Sequence, residues 1–189
     1  MNLPKEYWKS NIQYVPVSVK TKVATLLSKI DKANDEGIRV IILGNQYVGK
    51  SSIAALIMKE SRALGKTSYF TTFWELRDNI RDGTSFDDSH SVFLRCKTVD
   101  VLVLDNLREE DVSEKIFLNI RAVEELIAHR RSKQLMTVVT SRLPREKLIA
   151  KEFKGFMDAM AGSIFLNVEG ENLRAKQEAA YAKEFLGGK

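Results

Sequence analysis

With 189 residues, 44% of them hydrophobic and 29% charged, the chain has the composition of one globular domain with a substantial core, which excludes disordered, collagenous and coiled-coil proteins. Its longest apolar run, Ile53–Met58, is six residues, and the N-terminus lacks an apolar signal region, so the sequence reads as a soluble cytoplasmic protein with no membrane partner. The net charge is +5, and residues 121–154 alone hold nine basic against four acidic side chains, an excess that fits contact with a polyanion such as nucleic acid or, equally, a solvated basic face.

Residues 1–16, with Pro4, Pro16, Tyr7, Trp8 and Tyr14, read as an irregular arm, and 17–189 as the domain proper. Val19, Val23, Leu26, Leu27 and Ile30 recur at helical spacing and predict a helix from Val17 to about Glu36, stopped by Gly37. Arg39–Leu43 is a β-branched run and predicts a strand, followed by a helix over Ser51–Leu64. A second strand is expected at Thr67–Thr72, an amphipathic helix at Phe73–Arg81 and a polar loop at Thr84–Ser91. Val99–Leu104, apolar on both faces, predicts a central parallel strand. Ser113 is placed to cap a helix reaching Arg131. A strand at Leu135–Thr140, one or two helices over Arg145–Met160, a strand at Ser163–Val168 and a helix at Asn172–Leu186 complete the chain. Strands alternating with helices predict an α/β fold with a mainly parallel sheet.

Between the first predicted strand and its helix stands Gly44-Asn45-Gln46-Tyr47-Val48-Gly49-Lys50-Ser51, a full G-x-x-x-x-G-K-[ST] match in the context that motif requires. The glycines let successive backbone N–H groups turn toward one anion, Lys50 supplies a charge for the β- and γ-phosphates, and the Ser51 hydroxyl suits Mg²⁺. The helix N-terminus, with Ser52 in its first turn, adds its positive end. Asp105, closing the buried run Val99–Leu104, is the expected metal-orienting acid. Met136–Arg142 is a strand with a polar end, either beside the γ-phosphate or a turn before Pro144.

The order of these elements resembles the AAA+ ATPases, specifically the compact helicase-loader and transposition-helper (DnaC/IstB-like) branch. The residues that carry the resemblance are Leu3-Pro4-Lys5-Glu6-Tyr7-Trp8, the phosphate loop, Tyr69–Thr72 with Glu75-Leu76, Leu102–Leu107, His129-Arg130-Arg131, Thr137–Ser141 and Ile164–Arg174. The resemblance implies a P-loop fold with a five-stranded sheet of order 5-1-4-3-2, little or no lid domain, and ATP with Mg²⁺ bound between subunits of a ring or filament. It implies contact with single-stranded DNA and with a replicative helicase or transposase. It makes Lys50 and Ser51 phosphate and Mg²⁺ ligands, Asp105 the Walker B acid, Thr140 or Ser141 the sensor-1 residue and Arg174 a sensor-2 arginine. Arg130, Arg131 and Lys133, in the basic stretch, are the residues expected to hold nucleic-acid phosphates.

Three positions depart from that pattern. Asn106 stands where a second, water-polarising acid is usual, Arg142 where Asn is common after Thr-Ser, and Ala159 near the place of an arginine finger. An amide orients a water but takes no proton from it. Slow or partner-dependent hydrolysis follows as the expectation. An acid in the run Glu109-Glu110-Asp111 is one substitute for the missing group. His90, His129 and Cys96 have no ligand-spaced neighbours and predict neither metal site nor nucleophile. Phe70, Phe73 and Trp74 are either core or a stacking platform for bases. Three function classes remain: an ATP-dependent loader, an ATP-binding adaptor that does not hydrolyse, and a small-molecule kinase with Arg142, Arg145 and Lys147 as its lid. The lack of an N-K-x-D motif disfavours a GTPase.

Overall fold

The structure, a computed structural model of the chain, describes residues 2–81, 92–108, 117–150 and 153–175 and positions 183 and 185. Five strands, β1 (Arg39–Leu43), β2 (Ser68–Thr72), β3 (Val101–Leu107), β4 (Met136–Ser141) and β5 (Ile164–Asn167), form one parallel sheet in the order β2-β3-β4-β1-β5. Counted from the other edge, this is the expected order 5-1-4-3-2. Burial explains the wiring. The apolar side chains of β1, β3 and β4 are covered on both faces, as central parallel strands require, while β2 and β5 stand at the edges.

The period of two along each strand divides the core. Val40 and Ile42 of β1, with Val101, Val103 and Val138, face α1 (Val17–Leu27), α2 (Ile30–Asp35) and α3 (Lys50–Ala63). Ile41 and Leu43, with Leu102, Leu104 and Val139, face α4 (Phe73–Arg81), α5 (Val92–Thr98), α6 (Phe117–Ser132) and α8 (Lys154–Ala159). The short α7 (Arg145–Leu148) follows β4.

The sequence predicts one helix where α1 and α2 stand. The break lies at Ser28, whose hydroxyl donates to Thr25 O, and at Lys29, whose backbone leaves helical values at φ −119° and ψ 22°. The seven-residue α5 has no sequence prediction, because its single buried side chain, Cys96, shows no period. β3 starts at Val101, later than predicted, because Asp100 makes a turn instead. Its carboxylate accepts from Thr67 N–H at 2.7 Å and from Thr67 Oγ1 at 2.6 Å. Phe70 and Phe73 are core, whereas Trp74 is 53% exposed. The expected loop at 84–91 with His90, the cap at Ser113 and the acidic run 109–111 lie outside the described residues, as does most of the predicted C-terminal helix. Of that helix, 173–175 are helical, and Asn172 Oδ1 accepts from the N–H groups of Arg174 and Ala175 at 3.0 Å each.

Residues 2–16 lie along the domain. The Asn2 side chain bonds both the N–H and the carbonyl of Phe70 on edge strand β2, Trp8 Nε1 donates to Leu3 O at 2.9 Å, and Lys59 Nζ donates to Trp8 O and Ser10 O. The Tyr7 and Phe70 rings lie 5.7 Å apart. Leu3 and Val15 are buried in the core shared with α1 and α3.

Candidate functional site: a phosphate cleft at the strand ends

The loop between β1 and α3 takes its shape from glycines and from its neighbours. Gly44 (φ +151°) lies so close to β5 that a Cβ there would stand 2.3 Å from Val168 O, and Gly49 takes φ +98° as the residue opening α3. Tyr47 also has positive φ, 63°. Val48 is buried beneath the loop, while Gln46, Tyr47, Gly49, Lys50, Ser51 and Ser52 face a cleft of about 540 Å³. Lys50 is buried, and its Nζ donates to Asn45 O at 2.6 Å. Burial, with Arg142 acting in the same direction and Asp105 against it, brings the Lys50 ammonium down to about 8.

Three elements meet on one carboxylate oxygen. Asp105 Oδ1, at the end of β3, accepts from Ser51 Oγ at 2.8 Å and from Thr140 Oγ1 at 2.6 Å. Burial raises the Asp105 carboxyl above its ordinary value, although Thr140, Ser51 and Lys50 all favour the anion. β3 and β4 lose register between Leu104 and Leu107, and Asn106 stands in this irregularity with φ +64°. Its N–H donates to Thr140 Oγ1 at 2.9 Å, and its side-chain oxygen accepts from Arg142 Nε at 3.3 Å.

The two sensor-1 candidates separate here. Thr140 lines the cleft. Ser141, its neighbour, points away, as alternation along a strand dictates. Its hydroxyl donates to Leu107 O at 2.9 Å and accepts from Leu143 N–H at 3.0 Å, so it stitches β3 to β4 and does not reach the site. Arg174 reaches the rim: its Nη1 donates to the Tyr47 hydroxyl at 3.1 Å, with the guanidinium 5.1 Å from the Tyr47 ring centre. Leu173 N–H, bonded to Tyr47 O at 2.9 Å, ties the same turn to the phosphate loop.

The candidate nucleic-acid residues divide as well, and one needs correction. Arg130 is wholly buried: Nε donates to Thr137 Oγ1, Nη1 to Cys96 O and Val99 O, and Nη2 to Asp100 O and Met136 O. It ties α6 to the end of α5 and the starts of β3 and β4, and has no face left for a phosphate. Arg131 and Lys133 are exposed, Arg131 Nη1 donating to Asp158 O at 2.9 Å. Helical spacing puts adjacent residues on different faces, which a count of charges cannot resolve.

Sequence reading did not place Glu6, Tyr7 or Leu173 in the cleft lining, where all three stand together with Arg142 from the polar strand end. The Glu6-Tyr7 pair had only its place in the resemblance as a signal, since an arm's docking position has no local period. Burial raises the Tyr7 phenol well above its ordinary value, with the Ser51 hydroxyl beside it acting in the opposite sense.

The donor set suits a triphosphate with Mg²⁺. A carboxylate flanked by two hydroxyls offers hard oxygens of the kind Mg²⁺ takes while keeping several waters, and Lys50 at the helix N-terminus suits phosphate. Asp105 and Ser51 would hold the metal, which would neutralise phosphate charge. Among the described residues, no cluster of three or more His, Cys, Asp or Glu could hold another metal, and no helix is long and apolar enough to cross a membrane.

No protein-family model matches the sequence, and no curated protein does. Solved structures match in shape. The DnaC helicase loader superposes with a TM-score of 0.69 at 20% identity, covering 88% of this chain and 100% of that one. DnaI superposes with a TM-score of 0.72 at 19% identity, covering 91% of this chain and 94% of that one. AMPPCP-bound DnaA from Aquifex aeolicus gives 0.70 at 15% identity, covering 98% of this chain. The chain spans just over half of that DnaA, 57%, and 55% of a DNA replication initiation factor it also matches. The chain shares its fold with these DnaC, DnaI and DnaA structures.

Proposed function

We propose that this chain is an ATP-binding, helicase-loader-like protein of DNA replication or transposition, one that assembles with ATP on single-stranded DNA and a replicative helicase or transposase. The observation that carries the reading is the convergence of Ser51, Asp105 and Thr140 on a single oxygen beside Lys50, the arrangement an Mg²⁺–triphosphate site needs. Support for the partners is the shape shared with the DnaC helicase loader and with a replication initiator DnaA bound to AMPPCP and single-stranded DNA. Exposed Arg131 and Lys133 supply cations for phosphates. A homo-oligomer is part of the same proposal.

Asn106, its amide oxygen engaged by Arg142, gives weight to slow hydrolysis and to the second reading, an ATP-held adaptor. The kinase reading draws less support, since Arg145 lies over the Phe165 ring, 4.5 Å from its centre. The test is ATP binding and steady-state hydrolysis with and without single-stranded DNA, with Lys50→Ala as control. Binding, with turnover below about one per second that rises with DNA, is expected of a loader. Binding without turnover under either condition moves the reading to the adaptor, and absence of binding removes both.

A further inference from the structure

Hydrolysis at this cleft needs an acceptor for the proton of the attacking water, and the residues at the strand ends do not supply one. Asp105 Oδ1 already accepts two hydrogen bonds, and the carboxylate is wanted by the metal. The Thr140 hydroxyl spends its proton on Asp105. Asn106 carries an amide, which has no basic oxygen to protonate, and that amide is bonded to Arg142. Among the described residues lining the cleft, one further carboxylate remains: Glu6.

Glu6 is held there. It sits in a helical turn, Lys5–Tyr7, that opens on Pro4, with Tyr7 N–H donating to Pro4 O at 3.0 Å. The turn is clamped on both sides, by Asn2 on Phe70 and by Lys59 on the carbonyls of Trp8 and Ser10. Tyr7, the next residue, lines the same cleft, so the arm brings Glu6 and a phenol to the cavity that Ser51 and Asp105 also line.

We propose that Glu6, carried to the cleft by the N-terminal arm, is the catalytic base of ATP hydrolysis in this protein, in the role that Asn106 cannot fill. This rests on the reading of the cleft as an ATP site. In the step, the water oxygen bonds to the γ-phosphorus and the bridging bond to the β-phosphate breaks. That bond's electron pair goes to the ADP oxygen and the water proton goes to the Glu6 carboxylate, which later releases it to solvent. Because the base rides on the arm, a partner that lifts or presses residues 2–10 would set the hydrolysis rate without touching the phosphate loop.

The experiment compares wild type, Glu6→Gln and Lys50→Ala on the full chain, reading ATP affinity by equilibrium dialysis and, separately, the nucleotide retained on the protein after rapid gel filtration. Melting temperatures of wild type and Glu6→Gln within about 2 °C establish that the variant is folded. Glu6→Gln is expected to bind ATP within about threefold of wild type and to retain intact ATP where wild type retains ADP, with single-turnover conversion slowed about 100-fold or more. Conversion by Glu6→Gln at the wild-type rate would overturn the assignment, as would loss of its ATP binding. Wild type that binds ATP and converts none, with or without single-stranded DNA, would overturn it too while leaving the ATP site standing. Wild type that binds no ATP would instead bring down the site reading itself.

Discussion

The Thr140 hydroxyl donates to Asp105 Oδ1 at 2.6 Å while accepting the Asn106 backbone N–H at 2.9 Å, so one side chain holds both the acid and the amide of the β3 end in place. Sheet register brings these residues together. β3 and β4 are adjacent parallel strands whose irregularity after Leu104 swings Asp105 and Asn106 over the end of β4. Thr140 therefore couples whatever occupies the cleft to the backbone of a central strand.

Thr140→Ala leaves the buried Asp105 with one donor fewer and Asn106 N–H without its acceptor, at a cost of about 1–3 kcal/mol. Phosphate binding, which rests on the loop between β1 and α3, is expected to persist, with hydrolysis down about tenfold or more. Ser141→Ala removes a bond to Leu107 O that lies away from the cleft, so it lowers the melting temperature and leaves turnover per folded molecule unchanged. Thermal melts beside single-turnover rates for the two variants separate these roles. Equal loss of turnover in both would contradict the geometry.

On the proposed reading of the cleft, Lys50 makes nucleotide binding depend on pH. Its folded value of about 8 lies below the ordinary 10.5, so above pH 8 the ammonium is increasingly neutral in the nucleotide-free protein. Phosphate anions favour the charged form, so binding above that pH draws in a proton, and ATP affinity is expected to fall by up to about tenfold per pH unit between about pH 8 and 9.5. Calorimetry in buffers of different ionisation heat measures the uptake directly, and Lys50→Met abolishes it. The sign for stability is opposite. Between about pH 8 and 10.5 the unfolded chain holds a proton that the folded chain has released, so this group's contribution to stability rises with pH through that window. Lys50→Met should accordingly stabilise the nucleotide-free protein at pH 7, by an amount that shrinks as pH rises through it.

Sequence legibility followed the range of the forces involved. β1, α3 and α4 were placed to within about a residue, because strand alternation, helical period and the turn chemistry around Gly44 are local signals. The phosphate loop and Asp105 were legible for the same reason, and the two-residue choice Thr140-Ser141 narrowed to one only when strand pairing fixed which side chain faces Asp105. The break between α1 and α2 was hidden because Ile30 keeps the apolar spacing while Ser28 diverts the ladder. Glu6 and Arg130 mark the limit. The first is brought to the cleft by its neighbours' contacts with Phe70 and Lys59, 64 and 53 positions along the chain, and the second is drawn inward by carbonyls from α5, from the turn before β3 and from β4. Neither attachment leaves a mark in the local pattern.

Arg130 and its neighbours Arg131 and Lys133 give the sharpest contrast between charge count and structure. Four carbonyl oxygens and the Thr137 hydroxyl converge on the Arg130 guanidinium, whose value burial lowers to about 10 against the opposing pull of Cys96 and Asp100, so it is charged at neutral pH. Arg130→Met strands those carbonyls in the core and should cost about 3 kcal/mol or more, a drop in melting temperature of about 6–12 °C for a chain of this size. Arg130→Lys should rescue only part, since an ammonium cannot reproduce the planar fork. Arg131 and Lys133 are exposed, so Arg131→Glu with Lys133→Glu should leave the melting temperature within about 2 °C of wild type. If that pair holds phosphates, the double variant flattens the plot of log affinity for single-stranded DNA against log salt by about 1–1.5 in slope. An unchanged slope would assign the two residues to a solvated face. An Arg130→Met protein as stable as wild type would contradict the buried role.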